Sequence, residues 1–386
     1  MRGVRRGAHR LLSAIPVALC APNAFKGSLS ARAAARAIAL GARDAGARTV
    51  ELPVADGGDG TLDVLLASRP GSSLVRHRVT GPGGRPVTAR LGLLDETTAV
   101  VELAEASGLR LVTPARMDAL HATSRGTGEL IRRALDAGST RIVVGVGGSA
   151  CTDGGAGLLQ ALGVRLLDAS GMEIGPGGAG LDDLARIDAS GVHPDLARCS
   201  IDVACDIRSP LLGIEGAARM FAAQKGASAS AVDHLERALE HFALVARGLF
   251  TRDLARLPGA GAAGGCGFGL ALIGARLLPG AALVCDVIGL DAALSGASVA
   301  ITGEGRLDGQ TRVGKAPAEV AARARRSGIP CIAVCGSISD RLPDLFDSAL
   351  ALDELDAGID PMRHTRALLR RAGATAIRDA FPALSQ

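Results

Sequence analysis

The sequence predicts an α/β protein with mainly parallel sheet, and three observations carry that prediction. Short runs rich in Val, Ile and Ala alternate with Ala/Leu/Arg stretches of helical character, the order in which a parallel sheet covered on both faces is built. Glycine, at 52 residues, gathers at the junctions between these runs rather than in a low-complexity tract. The conspicuous Asp, Ser, Thr and Lys residues fall just after the apolar runs. Strands of a parallel sheet present that end to ligands, so these residues would converge on one rim or cleft.

Taken in order, residues 15–21 read as a buried strand running into the loop at Lys26, with an Ala-rich helix from Ser30. The run 50–54 is the next strand, followed by Ala55-Asp56-Gly57-Gly58-Asp59-Gly60 and another helix. Thr123-Ser124-Arg125-Gly126-Thr127-Gly128-Glu129 opens a helix with hydroxyls and glycines. The run 141–146 leads into Gly147-Gly148-Ser149-Ala150-Cys151-Thr152-Asp153-Gly154-Gly155 and a helix to about Leu162. Two small-residue stretches, 222–230 and 257–269, flank a helix from about Val232 to Leu249. Strand 298–301 precedes Thr302-Gly303-Glu304-Gly305-Arg306-Leu307-Asp308-Gly309, and strand 331–334 ends at Gly336.

At 386 residues the chain is long enough for two or three domains. Aromatics are 2% of the chain, with no Trp and no Tyr. The core must therefore come from Ala, Leu, Val and Ile, and the stacking platforms of single-strand nucleic-acid binders are missing. The net charge of +4 is spread along the chain, which argues against a nucleic-acid surface. Eight cysteines show neither CxxC nor zinc spacing, and several sit in apolar runs such as Ala282-Leu283-Val284-Cys285, the usage of a reduced, cytoplasmic protein. Arg2, Arg5, Arg6 and Arg10 before the apolar stretch 11–20 superficially suggest a secretion signal. That stretch is short for a membrane span, has no clean cleavage site, and contains most of the strand that feeds the Lys26 loop.

Only three of the 43 Lys+Arg residues are lysines: Lys26, Lys225 and Lys315, all in glycine-flanked loops. Where arginine serves elsewhere, a retained lysine points to a need for a compact point charge. Beside backbone that a ligand can approach closely, the natural partner is a phosphate or carboxylate oxygen.

Individual motifs are weak. Gly309 to Ala316 follows a P-loop pattern, but Ala316 replaces the Ser/Thr that would hold Mg²⁺. Gly145-Val146-Gly147-Gly148-Ser149-Ala150 matches a dinucleotide fingerprint, with Asp168 near the ribose-acid position. Asp153 soon afterwards would repel a pyrophosphate unless Mg²⁺ lay between, which favours phosphoryl transfer. Asp56 and Asp59 among glycines suit Mg²⁺ ligation or hydroxyl activation at a helix start, although Asp59 serves equally as an N-cap. Asp202 and Asp206 suit metal ligation or loop structure equally. His234 and His241 read as ordinary helix-surface residues.

Together the motifs have a precedent. Ala21-Pro22-Asn23-Ala24-Phe25-Lys26-Gly27-Ser28-Leu29-Ser30, 54–60, 122–129, 147–155, Cys205-Asp206 with Pro210-Leu211-Leu212-Gly213, Gln224-Lys225-Gly226-Ala227 and 302–314 resemble, in order, the bacterial glycerate kinase family. The resemblance runs from about Val17 to Gly336 or beyond. It implies phosphorylation of D-glycerate with ATP and Mg²⁺, more often at the 2-hydroxyl. It also implies two α/β domains with mainly parallel sheets, the first discontinuous, and the active site in the interdomain cleft. Residues 15–75 with 288–386 would form the first domain, 76–287 an inserted second, and 1–14 an Arg-rich extension outside the family's usual start. Asn23 departs from the Asp that many relatives carry.

On this reading Lys26, Asp56 and Asp153 are catalytic, and Asp56, Asp153 and Asp206 hold the metal. Substrate and ATP fall to Ser28, Gly57, Gly58, Asp59, Ser124, Gly126, Thr127, Gly147, Gly148, Ser149, Lys225, Gly264, Gly265, Glu304 and Lys315, the glycine pairs 147–148 and 264–265 acting as backbone cradles. Partners are small molecules, with no nucleic acid and no membrane, and a homodimer is compatible with the sequence. The alternatives are a phosphotransferase or phosphatase on another small sugar acid, or a non-catalytic glycerate- or nucleotide-sensing module.

Overall fold

A computed structural model describes residues 15–247, 253–312, 314–339, 344–356 and 358–385. The Arg-rich segment 1–14 and the expected end of the long helix at Leu249 lie outside the described residues. Among the described residues fifteen strands, β1 to β15 in chain order, form two large and two small sheets. The first large sheet is wholly parallel, in the order β15-β13-β11-β1-β2. Its strands are β1 (Val17–Cys20), β2 (Arg48–Glu51), β11 (Val299–Thr302), β13 (Cys331–Cys335) and β15 (Ser348–Ala351). Register is fixed by pairs such as Ala18 with Thr49 on one side and Val299 on the other.

The second large sheet is mixed, in the order β10-β9-β6-β5-β4-β3. β5 (Thr98–Glu102), β6 (Arg141–Gly145), β9 (Ser200–Cys205) and β10 (Arg276–Pro279) run parallel, while β3 (Ser73–Thr80) and β4 (Pro86–Leu93) add an antiparallel hairpin. The sequence reading passed over this hairpin; its signal was the Gly81-Pro82-Gly83-Gly84 turn between two runs of strand formers. The small sheets are β7 (Arg165–Leu167) with β8 (Arg186–Asp188), and β12 (Arg306–Leu307) with β14 (Ser337–Ile338).

Two expectations shift in detail. The second strand ends at Glu51 rather than Val54. Pro53 has no N–H for a ladder, yet Leu52 and Val54 still donate to the carbonyls of Cys20 and Pro22. The long helix begins at Ala229, a turn earlier than Val232.

Packing follows the composition. One apolar cluster takes Leu19 and Ala300 from the first sheet and Val100, Val143 and Ala204 from the second. The helix Gly280–Ile288 contributes Val284 and Ile288 to the same cluster, so the two sheets share a core. Among the few aromatics, Phe242 and Phe268 meet edge to face at 5.3 Å. The helix Ala31–Asp44 lies on the C-terminal helix Pro361–Ala380 in backbone contact: a Cβ on Gly41 would stand 1.7 Å from the Arg370 carbonyl oxygen, and one on Gly373 2.3 Å from that of Ile38. All eight cysteines are free. Among the described residues no helix is long and apolar enough to cross a membrane.

A buried carboxylate orients the loop that matters most. Glu102, at the end of β5, is fully buried and accepts the Leu62 N–H at 3.0 Å and the Gly60 N–H at 3.2 Å. It thereby caps the helix Thr61–Ala67 from β5, a role the sequence left open for Asp59, which makes no cap bond there. Burial pushes the Glu102 carboxyl up to about 6, against the pull of those N–H donors. Because its folded pKa lies above its unfolded one, Glu102 favours folding at pH below about 4.5, and this contribution is lost as pH rises through 6. Urea unfolding of the wild type and Glu102→Gln between pH 4.5 and 7 checks this. The wild type should lose about 2 kcal/mol relative to the variant across that window, and parallel pH profiles would refute it.

Candidate active site

A cleft of about 560 Å³ opens where strands of both large sheets end. Lys26 comes from the turn after β1, a tight one in which Phe25 and Leu29 exchange backbone hydrogen bonds at 2.9 Å. Asp56 follows β2, Glu304 follows β11, and Asp206 directly follows β9 of the other sheet. Lys315 stands immediately before the helix Ala316–Arg326, whose first turn contains Pro317. All five line the cleft.

The carboxylates are oriented individually. Asp56 accepts from Asn23 Nδ2 at 3.1 Å and from the Gly58 N–H at 3.3 Å. Glu304 accepts from Thr311 Oγ1 at 2.9 Å and lies 3.8 Å from Lys315 Nζ, which is also 4.0 Å from Asp308. Burial raises the Asp206 carboxyl and the Asp56 charge raises it further, while Lys26 and Lys315 oppose the shift. Burial likewise raises Glu304, against Lys315 and the Thr311 hydrogen bond. Carboxylates crowded until they resist ionisation, with lysines beside them, suit a hard divalent cation and the phosphate oxygens that accompany it. Among the described residues Lys26 makes no hydrogen bond or ion pair, which leaves its ammonium available to a ligand. Ser28 hydrogen-bonds Thr365 at the cleft wall.

Backbone proximity fixes Asp56. Gly57, at φ +97°, lies so close to β9 that a Cβ would stand 2.4 Å from the Ala204 carbonyl oxygen. A second cavity, of about 610 Å³, shares Asn23 and Ala24 with the cleft and carries Asp59, Arg90 and Arg110 on its wall. Arg90 bridges Asp63 at 2.8 Å and Glu105 at 2.9 Å, a network the sequence reading did not single out.

Other expected site residues are not brought to the cleft. Asp153 is fully buried, and its carboxylate takes the N–H and hydroxyl of Ser124, both at 2.8 Å, with the N–H groups of Gly155 and Gly157. Those donors tie the loop 153–157 to the start of the helix at Ser124, and Asp153 is not brought to the cleft that Asp56 lines. Of the 147–148 pair, the Gly147 N–H donates to Gly57 O, the Gly148 carbonyl accepts from the Leu109 N–H, and a Cβ on Gly148 would stand 2.7 Å from Asp59 Oδ1; neither glycine lines the cleft. A Cβ on Gly264 would meet the Cys151 carbonyl oxygen at 2.1 Å, and one on Gly265 the Gly154 Cα at 2.8 Å. That pair cradles protein backbone. Gly126 lies against Thr80, and Thr127 donates to Ser107 within the core. Asp202 is held between Arg141 and Arg276. Ser149 and Lys225 bond to each other at 2.9 Å away from the cleft.

An α/β fold with acids and lysines gathered at strand ends has the outline of a small-molecule phosphotransferase, and comparison with known proteins agrees. The sequence profile of the glycerate kinase family matches residues 18–378. The chain is 47% identical over 325 residues to glycerate 2-kinase of Escherichia coli K12, a match covering 83% of this chain and 85% of that one. Identity is also 47%, with the same coverage, to a glycerate kinase of Bacillus subtilis 168. A crystal structure of a candidate glycerate kinase 2 from Salmonella typhimurium LT2 superposes with a TM-score of 0.86 at 40% identity, covering 97% of this chain and all of that one. The chain belongs to the glycerate kinase family, and it is an enzyme, a phosphotransferase with an alcohol acceptor.

The structural role of Asp153 is open to a direct check. Asp153→Asn turns an amide donor towards inward-facing N–H groups and should cost about 2–4 kcal/mol in urea unfolding. Its Mg²⁺ dependence should match the wild type. A variant of unchanged stability with altered Mg²⁺ dependence would return Asp153 to the metal.

Proposed function

We propose that the chain transfers the γ-phosphoryl group of ATP to the 2-hydroxyl of D-glycerate, giving 2-phosphoglycerate. The observation that carries this reading is the meeting of Lys26, Asp56, Asp206, Glu304 and Lys315 in one cleft. The name of the Escherichia coli relative supports the 2-position. Asp56 and Asp206 would hold Mg²⁺, which when bound neutralises phosphate charge and orients the triphosphate. Lys26 and Lys315 supply point charges for the phosphate oxygens, and Glu304 with Thr311 keeps Lys315 in place. Asn23 turns Asp56 into the cleft by hydrogen bonding, as a neutral amide can beside three acids. The adjoining cavity gives two co-substrates room to meet at Asn23 and Ala24. The loose transition state of phosphoryl transfer asks little of a general base, so positioning and electrostatics carry the rate. An enzyme that consumes ATP works in the cytoplasm, and this reading assigns the chain there.

ADP release that requires D-glycerate tests the activity, and NMR of the product distinguishes the 2- from the 3-phosphate. Phosphate release without ADP formation would point instead to a phosphatase. Lys26→Ala should lower kcat/KM by roughly 10²-fold, about 3 kcal/mol of transition-state stabilisation. Lys26→Arg should recover little of it, because a planar fork does not replace a point charge; near wild-type kinetics in Lys26→Arg would contradict the role.

Asp56→Asn and Asp206→Asn should each shift the Mg²⁺ activation curve to higher concentration while leaving the unfolding midpoint near that of the wild type. Activation curves that overlay the wild type for both variants would place the metal on other residues.

A further inference from the structure

Gln224-Lys225-Gly226 is the one lysine motif that the cleft does not use. Lys225 ends a short 3₁₀ turn, 3% exposed, and lines a separate cavity of about 180 Å³ in the part of the chain built on the second sheet. Its ammonium donates to Ser149 Oγ at 2.9 Å and to the Cys151 carbonyl oxygen at 2.6 Å. An ammonium has three donors, and among the described residues no carboxylate lies within ion-pair distance of this one. Burial depresses the Lys225 pKa, only partly offset by Cys151, Cys266 and Asp153. A buried cation without a counter-charge is costly, and an anion in the cavity would relieve that cost.

We propose that the cavity beside Lys225 is a second small-molecule site, distinct from the cleft, that binds the carboxylate of a short organic acid of two to four carbons. The cavity is well below the size of drug-sized ligand pockets and excludes a nucleotide. Leu109, Val112 and Met117 give it apolar walls suited to a carbon chain, and Thr123 adds a hydroxyl. Its one acidic wall residue, Asp118, already accepts from His121 Nδ1 and from the N–H groups of Leu120 and His121. Of the two cations on the wall, Arg116 is exposed and Lys225 is buried, so Lys225 is the anchor for an anion inside the cavity. The site also has a route to the cleft. Lys225 grips the segment 149–151, and two residues earlier the Gly147 N–H donates to Gly57 O in the loop that carries Asp56.

Calorimetric titration of the full chain without nucleotide or Mg²⁺ tests the proposal, with D-glycerate, glycolate and inorganic phosphate as probes. Lys26→Ala serves as the background that disables the cleft. In that background D-glycerate and glycolate should still bind, and adding Lys225→Met should weaken both by roughly tenfold or more. Should Lys225→Met fail to fold, Val112→Phe closes the cavity from a half-buried wall with the lysine intact and should give the same loss. Isotherms that Lys225→Met or a folded Val112→Phe leaves unchanged, or the absence of any binding in the Lys26→Ala background, would overturn the site. Binding of phosphate in place of the acids would overturn its carboxylate selectivity. Failure of glycerate-dependent ADP formation in the wild type would instead count against the kinase reading and leave these isotherms as they are.

Discussion

Everything at the cleft depends on how closely two backbones approach. The loop Asp56 to Gly60 leaves the first sheet and lies directly on the strand ends of the second. A Cβ on Gly280 would stand 1.9 Å from the Asp56 carbonyl oxygen, one on Gly57 2.4 Å from that of Ala204, and one on Gly147 2.5 Å from the Gly58 Cα. Side chains at these places would force the sheets apart by about the width of a methyl group. Asp56 and Asp206 come from different sheets, so that separation would also part the carboxylates. The glycines therefore set the distance between the acids, and Glu102 sets the angle of the loop by capping the helix that follows.

The polar loops divide into two kinds with different physics. Around the cleft, carboxylates are left with unspent capacity and crowd one another, so burial and repulsion raise Asp206 and Glu304. Around Asp153, the N–H groups of Ser124, Gly155 and Gly157 turn inward and the carboxylate joins its own loop to the segment at 124. The first arrangement is unfavourable in the folded chain alone, whereas the second is favourable there. Identical residue types are thus left facing a cleft in one loop and spent on cohesion in another.

Much of this was legible in the sequence. Alternating apolar runs and Ala-rich helices gave the parallel sheets, because that pattern depends on burial and little else. Lysine scarcity led to Lys26 and Lys315 at the cleft and to Lys225 beside a cavity of its own. What could not be read was the direction of donors. Asp153 and Asp206 both follow apolar strands near small residues, and only the fold decides which one is enclosed by N–H groups. Glu102 was invisible for a similar reason: its partners are 40 and 42 residues away in the chain. Gly264 and Gly265, read as a ligand cradle, are as permissive as expected, but the surface they admit is the chain's own backbone.

The position of β1 has a consequence for how the chain is made. It leaves the ribosome well before one of its two neighbours, β11, which follows at a separation of about 281 residues. At ordinary translation speeds that is a wait of roughly 15–55 seconds. The second sheet, from Ser73 to Pro279, is complete before β11 emerges, so the contiguous half can fold while β1 remains paired on one edge at most. During that interval the apolar run Ala18 to Cys20 presents a free strand edge in a crowded cell. The strand that finally closes that edge lies about 281 residues further along the chain.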